Sequence, residues 1–380
     1  MKINTRFRVA LAASLAAVVF VIVLVACGSD HVTQARFAYA IGDSDLAAYT
    51  VNPSTGAITQ VAGSPYTSIL SSSPCADLGV ADPAHKYLFV TDACNDTVAA
   101  LAINPSTGAL TAVTGSPFVL GVTGNSIEQP TISPSGKFLY AGEDSGFVAA
   151  FTVAANGALT EIAGSPFVAG GGDEGVAIDP RGKFLYAADS NNSTITVFSI
   201  DQTTGVLAPI TGSPFALSDV PKFMAIDHSG KFLYVTAPET DNVLLLSIDA
   251  TTGALTTAAA SPVASGGPNP GGLAVSPNGK FLFISNGGDI DVPTLGNISV
   301  FSINATSGGL TAVTGSPFTA APNPKRIAVD PASKFLYATN EDSDNMTVFS
   351  IASGTGVLTE VTGSPFATNV GSEGVVITAR

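Results

Sequence analysis

The chain has 380 residues, of which 46% are hydrophobic and 12% are charged, and its formal charge is −14 at pH 7. An acidic protein of this kind repels the phosphate backbone of nucleic acids, so we expect no nucleic-acid partner. Trp is absent, so the Trp-Asp signature of one large class of repeat proteins is absent too.

The N-terminal residues have the composition of a targeting segment. Lys2, Arg6 and Arg8 precede an apolar run over residues 9–26, and Cys27 follows it. This order resembles a bacterial lipoprotein signal, in which cleavage leaves Cys27 as a lipidated N-terminus. An uncleaved signal anchor is the alternative, since an apolar run of about 18 residues nearly spans a bilayer.

Both interpretations place the remainder of the chain outside the cytoplasm and attached to a membrane. They divide the sequence into a signal peptide (1–26), a tether (27–34) and a folded domain (35–380). Removal of the signal peptide takes away three of the 15 basic side chains and none of the 29 acidic ones. The mature protein is therefore more acidic than the full chain.

One motif recurs seven times in the domain and indicates its architecture. It is Gly-Ser-Pro-Phe in five copies, ends in Tyr66 in the first copy, and is Ala260-Ser261-Pro262-Val263 in the fifth. The copies begin at Gly63, Gly115, Gly164, Gly212, Ala260, Gly315 and Gly363. Their mean spacing is 50 residues, a period typical of propeller blades or solenoid turns.

A second motif, Lys-Phe-Leu-Tyr or a close variant, precedes each copy and resolves four strands per unit. In the clearest unit, 176–178 is predicted as an inner strand and 179–182 as a tight turn. A second strand over 183–187, a third over 194–200 and an outer strand over 206–214 complete the unit. The inner strands are apolar on both faces, as sheets stacked between two neighbours must be.

The two ends of the domain are predicted to share one blade. The first unit has no inner strand and begins directly at Arg36, whereas residues 371–377 repeat the pattern of 172–178 without a second strand after them. Pairing these ends completes blade one and removes the open edge of a linear array. The sequence therefore predicts an all-β, seven-bladed β-propeller with four-stranded blades, closed by its C-terminal strand.

Two cysteines of the domain are predicted to pair. Cys75 precedes the inner strand of blade two and Cys94 follows its second strand, so both belong to one rim. Outside the cytoplasm such a pair can form a disulfide. Two unpaired cysteines are the alternative if the loops diverge beyond bridging distance.

Most of the 29 acidic residues belong to loops on that same rim, whereas the lysines that begin the second strands belong to the opposite rim. Turn chemistry explains such placement without any function, because Asp favours turns. The alternative is a rim that collects cations such as Ca²⁺ through oxygen ligands, with Asp289 and Asp291 as candidates. No other cofactor is expected.

One aligned position at the entrance of the inner strands is charged in six of seven blades. Inner strands line the axial channel of a propeller, so these side chains are predicted to ring its mouth as a ligand-binding site. Ordinary solvated charges are the alternative. Together with the neighbouring Arg326, the ring comprises Glu373, Asp77, Glu128, Glu174, Lys222, Lys325 and Arg326.

The repeat resembles that of the seven-bladed lactonase family, which includes proteins similar to 6-phosphogluconolactonase and surface proteins with YVTN repeats. The resemblance rests on units such as residues 107–111, the Ser-Pro-Phe copies and residues 179–186, and it covers 35–380. Active members tend to carry Pro-Arg-His at the entrance of inner strands. The matching stretch here is Pro324-Lys325-Arg326, without the histidine.

Lactone hydrolysis needs a base to activate water and a positive charge beside the forming oxyanion. Glu128 and Glu174 are the candidates for the base, and Lys325 and Arg326 for the charge. Because the histidine of the family is missing, the sequence favours binding of a small molecule or a cell-envelope component over hydrolysis. We also expect the protein to be monomeric and lipid-anchored. A lactone hydrolase is the alternative function.

Overall fold

A computed structural model describes residues 36–67, 69–70, 75–121, 126–172, 175–288 and 296–379. The predicted signal peptide and tether, with Cys27, lie outside the described residues. Within these ranges, no helix combines the length and the apolar character needed to cross a membrane.

The described residues form 34 strands in seven sheets, and each sheet repeats the same order of four strands. The inner strands are β4 Ala76–Ala81, β9 Ile127–Ile132, β14 Val176–Ile178, β19 Met224–Ile226, β24 Pro270–Val275, β29 Pro324–Val329 and β34 Ser372–Ala379. The second strands are β1 Arg36–Gly42, β5 Tyr87–Asp92, β10 Phe138–Glu143, β15 Phe184–Asp189, β20 Phe232–Ala237, β25 Phe281–Asn286 and β30 Phe335–Asn340. The third strands are β2 Leu46–Val51, β6 Thr97–Ile103, β11 Phe147–Val153, β16 Thr194–Ile200, β21 Asn242–Ile248, β26 Asn297–Ile303 and β31 Asn345–Ile351. The fourth strands are β3 Ile58–Gln60, β7 Leu110–Ala112, β12 Leu159–Glu161, β17 Leu207–Pro209, β22 Leu255–Thr257, β27 Leu310–Ala312 and β32 Leu358–Glu360.

The outer edge of each blade is more broken than the sequence predicted. In blades two to seven a second short segment also pairs with the third strand, and in blade one a single bridge between Leu46 and Tyr66 takes its place. These segments are β8 Phe118–Val119, β13 Phe167–Val168, β18 Phe215–Ala216, β23 Val263–Ala264, β28 Phe318–Thr319 and β33 Phe366–Ala367. Two 3₁₀ helices, Pro238–Thr240 and Glu341–Ser343, occur on loops that follow second strands.

The Ser-Pro dipeptide of the repeated motif lies between the two outer pieces, and its peptide bond is cis in all seven copies. In every blade the serine Oγ accepts a hydrogen bond from a backbone N–H of the third strand, at 2.8–3.0 Å. In blade four, for example, the Val197 N–H donates to Ser213 Oγ. The serine therefore satisfies a strand donor at the point where the outer strand is interrupted.

A second repeated contact joins neighbouring blades. The glycine of each turn between third and fourth strands packs against an aromatic ring of the preceding blade. A Cβ on Gly253, where φ is +79°, would stand 2.5 Å from the Phe184 ring. In the same pair of blades the Tyr186 hydroxyl donates to the Gly253 carbonyl at 3.2 Å. The Gly-Ser-Pro-Phe motif thus joins strands within a blade, and the Lys-Phe-Leu-Tyr motif joins neighbouring blades.

The ring closes as the sequence predicted. Strand β34 pairs antiparallel with β1, in a register that runs from Arg36 opposite Ala379 to Ile41 opposite Gly374. The Arg36 guanidinium also donates to the buried Asp330 carboxylate of blade seven. The all-β, seven-bladed prediction is therefore confirmed, and the inner strands converge on an axial channel.

Candidate functional site at the mouth of the axial channel

Polar side chains at the ends of second strands fix the residues at the mouth of the channel. Thr236 Oγ1 accepts the N–H of Phe223 at 3.1 Å, and Thr339 Oγ1 accepts that of Arg326 at 3.3 Å. The register of β29 with β30 also shifts between Pro324 and Ile327. Such an irregularity commonly redirects side chains, and here it lies at Lys325 and Arg326.

Arg326 and Phe223 form the centre of the site. The guanidinium carbon lies 3.7 Å from the centroid of the Phe223 ring, within cation–π distance. Phe223 belongs to blade five and Arg326 to blade seven, and blade six between them has Gly272 at this level. A Cβ on Gly272 would stand 3.1 Å from the Arg326 Cα. The glycine therefore lets the inner strands of blades six and seven approach closely at this level.

Lys222 adds a second cation to the same face of the channel. Its Nζ lies 5.6 Å from the centroid of the Phe223 ring. Lys222 and Arg326 are both partly exposed, whereas Phe223 is only 6% exposed. An aromatic floor with two cations suits a ligand that has a polar or anionic edge and an apolar face.

Lys325 instead bridges two carboxylates. Its Nζ lies 2.8 Å from Glu341 Oε1 and 2.6 Å from Glu373 Oε2. Burial acts to lower the pKa of Lys325, but the hydrogen bonds and charges of these carboxylates outweigh it, so the pKa lies above its usual range. Two acidic partners therefore offset the charge of Lys325.

The two carboxylates differ in their proton affinity. Burial, reinforced by the charge of Glu341, raises the pKa of Glu373 despite the opposing effect of Lys325. Burial also acts to raise the pKa of Glu341, but its hydrogen bond and charge interaction with Lys325 lower it below the usual value. Glu373 is accordingly the stronger base of the pair when it is ionised.

Two cavities meet at Arg326. The outer one has a volume of about 190 Å³ and the axial one about 130 Å³, and Phe223 and Arg326 line both. The outer cavity is also lined by Lys222, Asn269, Pro270, Gly271, Gly287, Asn323, Pro324, Lys325 and Glu341. The axial cavity is also lined by Leu78, Gly79, Gln129, Pro130, Met224, Gly272, Leu273, Ile327 and Val375. Arg326 thus separates the mouth from the channel.

The structure brings part of the predicted ring together. Glu373 contacts Lys325 across the closure of the ring, while Lys222 and Arg326 share the Phe223 ring. Glu128 lies at the start of β9, beside Gln129 of the axial cavity. Glu174, Asp289 and Asp291 lie outside the described residues, as does the side chain of Asp77.

Sequence reasoning missed two contributors. Phe223 is one of the few aromatic residues away from the repeat motifs. That departure from the repeat could have identified it as a candidate site residue. Glu341 was one acidic residue among many on its rim. Its contact with Lys325 depends on how the loop after β30 folds back over the inner strand, which the repeat pattern does not specify.

Several carboxylates of the acidic rim support its loops. Asp96 Oδ1 accepts the N–H of Ser126 at 2.9 Å, and Asp241 Oδ1 accepts that of Asn269 at 2.7 Å. Each bond joins a loop to the entrance of the next inner strand. Within the described part of the chain, no three His, Cys, Asp or Glu residues are grouped so as to hold a metal ion. Turn chemistry thus accounts for these two aspartates.

Cys75 and Cys94 are joined by a disulfide in the structure, with their Cα atoms 5.3 Å apart. The Cys75 N–H donates to Asp92 Oδ1 at 3.1 Å, and the Ala93 N–H donates to the Cys75 carbonyl at 3.0 Å. These bonds hold the two loops together on the acidic rim. The bridge therefore supports the rim of blade two.

Comparison with known proteins places the chain among lactonase propellers. A 6-phosphogluconolactonase of Formosa agariphila is 38% identical over 73 residues, an alignment that spans only 19% of this chain and 19% of that protein. A proposed 6-phosphogluconolactonase of Bacteroides fragilis NCTC 9343 superposes with a TM-score of 0.73 at 19% identity, covering 92% of this chain and 99% of that chain. The periplasmic gluconolactonase of Pseudomonas aeruginosa gives 0.70 at 17% identity, covering 90% and 99%. At these identities the two structures show the fold.

The family model described as a seven-bladed β-propeller lactonase matches residues 80–269 and 257–376. The matched ranges run from the inner strand of blade two into the C-terminal strand, and thus include both sides of the channel mouth. The chain therefore belongs to the family of seven-bladed β-propeller lactonases.

Proposed function

We propose that the protein hydrolyses a sugar lactone at the mouth of its axial channel. The observation that carries this proposal is the placement of Arg326 on Phe223, between the outer and the axial cavity. Similarity to proteins named 6-phosphogluconolactonase and gluconolactonase favours a sugar lactone as the substrate class. Membership of the lactonase family favours this function over binding alone.

In the proposed mechanism Glu373 is the general base. It takes a proton from water, the hydroxide adds to the lactone carbonyl carbon, and the carbonyl oxygen becomes an oxyanion stabilised by Arg326. The tetrahedral intermediate then collapses, the ring C–O bond breaks, and protonated Glu373 returns the proton to the leaving alkoxide. The products are a hydroxy acid and the regenerated carboxylate.

This assignment revises the roles that the sequence suggested. Lys325 was a candidate for oxyanion stabilisation, but its two carboxylate partners suit it to positioning Glu373 instead. Glu128 and Glu174 were the candidates for the base. Glu373 is preferred here because it contacts Lys325, is 13% exposed at its side chain and has a raised pKa.

The proposal is tested with glucono-δ-lactone and its 6-phospho derivative, following acid release with a pH indicator. We expect turnover above the buffer rate for at least one substrate. Arg326→Ala should lower kcat/KM by about 100-fold, as expected for loss of an oxyanion donor. Glu373→Gln should lower it by about 100-fold or more, since a general base is lost.

The matched controls are Lys137→Ala and Glu360→Gln, which remove exposed charges from the opposite rim and from an outer strand. Both should retain the parent rate. Hydrolysis no faster than in buffer, or equal loss of rate in the control variants, would exclude this active site.

Binding without turnover is the second candidate, favoured by Lys325-Arg326 at the position where active relatives tend to carry Arg-His. In that case a lactone should raise the thermal midpoint of the wild-type protein, because a ligand bound only by the folded state stabilises it. The rise should vanish in Arg326→Ala while no acid is released.

We further propose that the protein is held outside the cytoplasm by lipid on Cys27. The basic residues and the apolar run before this cysteine support the proposal. Small sugar lactones then reach the channel mouth by diffusion from the surrounding solution.

A further inference from the structure

The rim opposite the channel mouth carries a ring of lysines. Six blades have a lysine immediately before the second strand, and blade one has Arg36 there. All six lysine residues are exposed, and none of them forms an ion pair with another described residue. The ring comprises Lys86, Lys137, Lys183, Lys231, Lys280 and Lys334. We call this face the lysine rim.

Six aspartates also lie in the turns of the lysine rim, and accepting backbone hydrogen bonds leaves their negative charge in place. The Asp179 carboxylate is buried and accepts the backbone N–H groups of Lys183 and Phe184. Asp82, Asp227 and Asp330 do the same in their blades. The exposed Asp201 and Asp249 accept backbone N–H groups in the turns before the fourth strands, which lower their pKa values.

With Arg36 and Arg181, the lysine rim carries eight basic side chains against these six aspartates, so the negative charge of the molecule is concentrated on the opposite rim. The loops after the second strands and the entrances of the inner strands hold most of the 29 acidic residues, and they bond to one another on the acidic rim. The six lysines lie at the opposite ends of the second strands. A protein with this distribution aligns in an electric field even though its net charge is negative.

The point where the chain enters the domain decides which rim would face the membrane in the attachment proposed above. Arg36 occupies the lysine position of blade one, so the chain segment that precedes it enters the domain at this rim. Cys27 lies nine residues before Arg36. A fully extended segment of that length spans at most about 30 Å. If residues 1–27 attach the protein to a membrane as proposed above, this length allows the lysine rim to reach the bilayer.

We propose that the lysine rim docks against an anionic lipid bilayer and that the channel mouth points away from it. The membrane attachment supplies the affinity, and the charge distribution supplies the orientation. Lysines are attracted to anionic headgroups, while the acidic rim is repelled. The attraction acts within a Debye length of about 8 Å at physiological ionic strength, so contact depends on the short connection at Arg36.

The test is lysine acetylation on the full chain reconstituted in two kinds of vesicle, one of phosphatidylcholine alone and one with about a third phosphatidylglycerol. The full chain retains the apolar run over 9–26, and flotation verifies that equal amounts are bound to both kinds of vesicle. Mass spectrometry after a short pulse of reagent should show reactivity of the lysine rim at least about threefold lower on anionic vesicles. Lys222, at the channel mouth, is the internal control and should not change.

Salt and substitution separate electrostatic docking from other causes of protection. At 1 M NaCl, where the Debye length is about 3 Å, the protection should disappear. Replacing Lys137, Lys183 and Lys231 together by Gln should reduce protection of the three remaining lysines, whereas Lys222→Gln should not. Equal reactivity on both vesicles, or protection of Lys222 alongside the rim, would overturn the proposal.

Discussion

At the residue scale, the site depends on how three neighbouring cations are partnered. Lys325 is held by Glu341 and Glu373, while Lys222 and Arg326 lie near the Phe223 ring. Arg326 suits that position because a planar guanidinium stacks on an aromatic face. Lys325 and Arg326 are adjacent in sequence, yet one positions a carboxylate and the other lies between the cavities.

The pH dependence of hydrolysis should report the pKa of Glu373. The acidic limb of kcat/KM follows the base of the free enzyme. Glu341→Gln removes a negative charge that raises this pKa, so the limb should move to lower pH. Lys325→Met removes interactions that lower the pKa of Glu373, so the limb should move to higher pH.

Glu373→Gln is the control for this experiment, because it should abolish the limb together with most of the activity. Shifts of Glu341→Gln and Lys325→Met in the same direction would contradict Glu373 as the base. Unchanged profiles in both variants would do the same.

At the scale of the elements, the repeat motifs are contacts between strands and between blades. Ser-Pro fills the break in the outer strand. The tyrosine that ends the Lys-Phe-Leu-Tyr motif reaches the next blade, and Tyr337 links blade seven to blade one through the Gly56 carbonyl at 3.3 Å. Burial raises the pKa values of Tyr186, Tyr234 and Tyr337, so their hydroxyls remain donors at neutral pH.

Removing one of these hydroxyls should destabilise the protein. Tyr234→Phe leaves the Gly308 carbonyl without the donor that now lies at 2.9 Å, which should lower the free energy of unfolding by about 1 kcal/mol. Tyr87→Phe is the matched control, since its hydroxyl donates to Ala155 in an exposed setting and water can replace it. Urea unfolding should show the larger loss for Tyr234→Phe; equal losses would refute a role between blades.

At the scale of the whole molecule, ring closure and the charge distribution together distinguish the two rims of the propeller. Pairing of β34 with β1 brings the two ends of the domain into one sheet, and the chain enters at the lysine rim. The channel mouth, with Arg326 and Glu373, lies on the other rim. The proposed attachment and the access to the site would thereby lie at opposite ends of the propeller.

The proposed anchor predicts a defined loss of membrane attachment. Cys27→Ser removes the sulfur that would carry the lipid, so processing should stop or yield an unanchored protein. Detergent-phase partitioning and the mass of the N-terminal peptide measure the result. Cys75→Ser is the control and should partition like the parent protein. Unchanged partitioning and an unchanged N-terminus in Cys27→Ser would indicate a plain signal anchor.

The sequence by itself determined the fold, because every repeat restates the same local chemistry. Ser-Pro, the turn glycines and the apolar second strands each form contacts within one blade or with a neighbouring blade. Seven repetitions make that pattern unambiguous. The closure of blade one was predictable for the same reason, since residues 371–377 match an inner strand.

Only the tertiary structure decided how the site is assembled. Arg326, Phe223 and Gly272 belong to three different blades, and their contact depends on the curvature of the ring around the channel. The partners of Lys325 come from a loop and from the C-terminal strand. Side chains that point inward from separate blades interact through space, and such interactions leave no periodic signal along the chain.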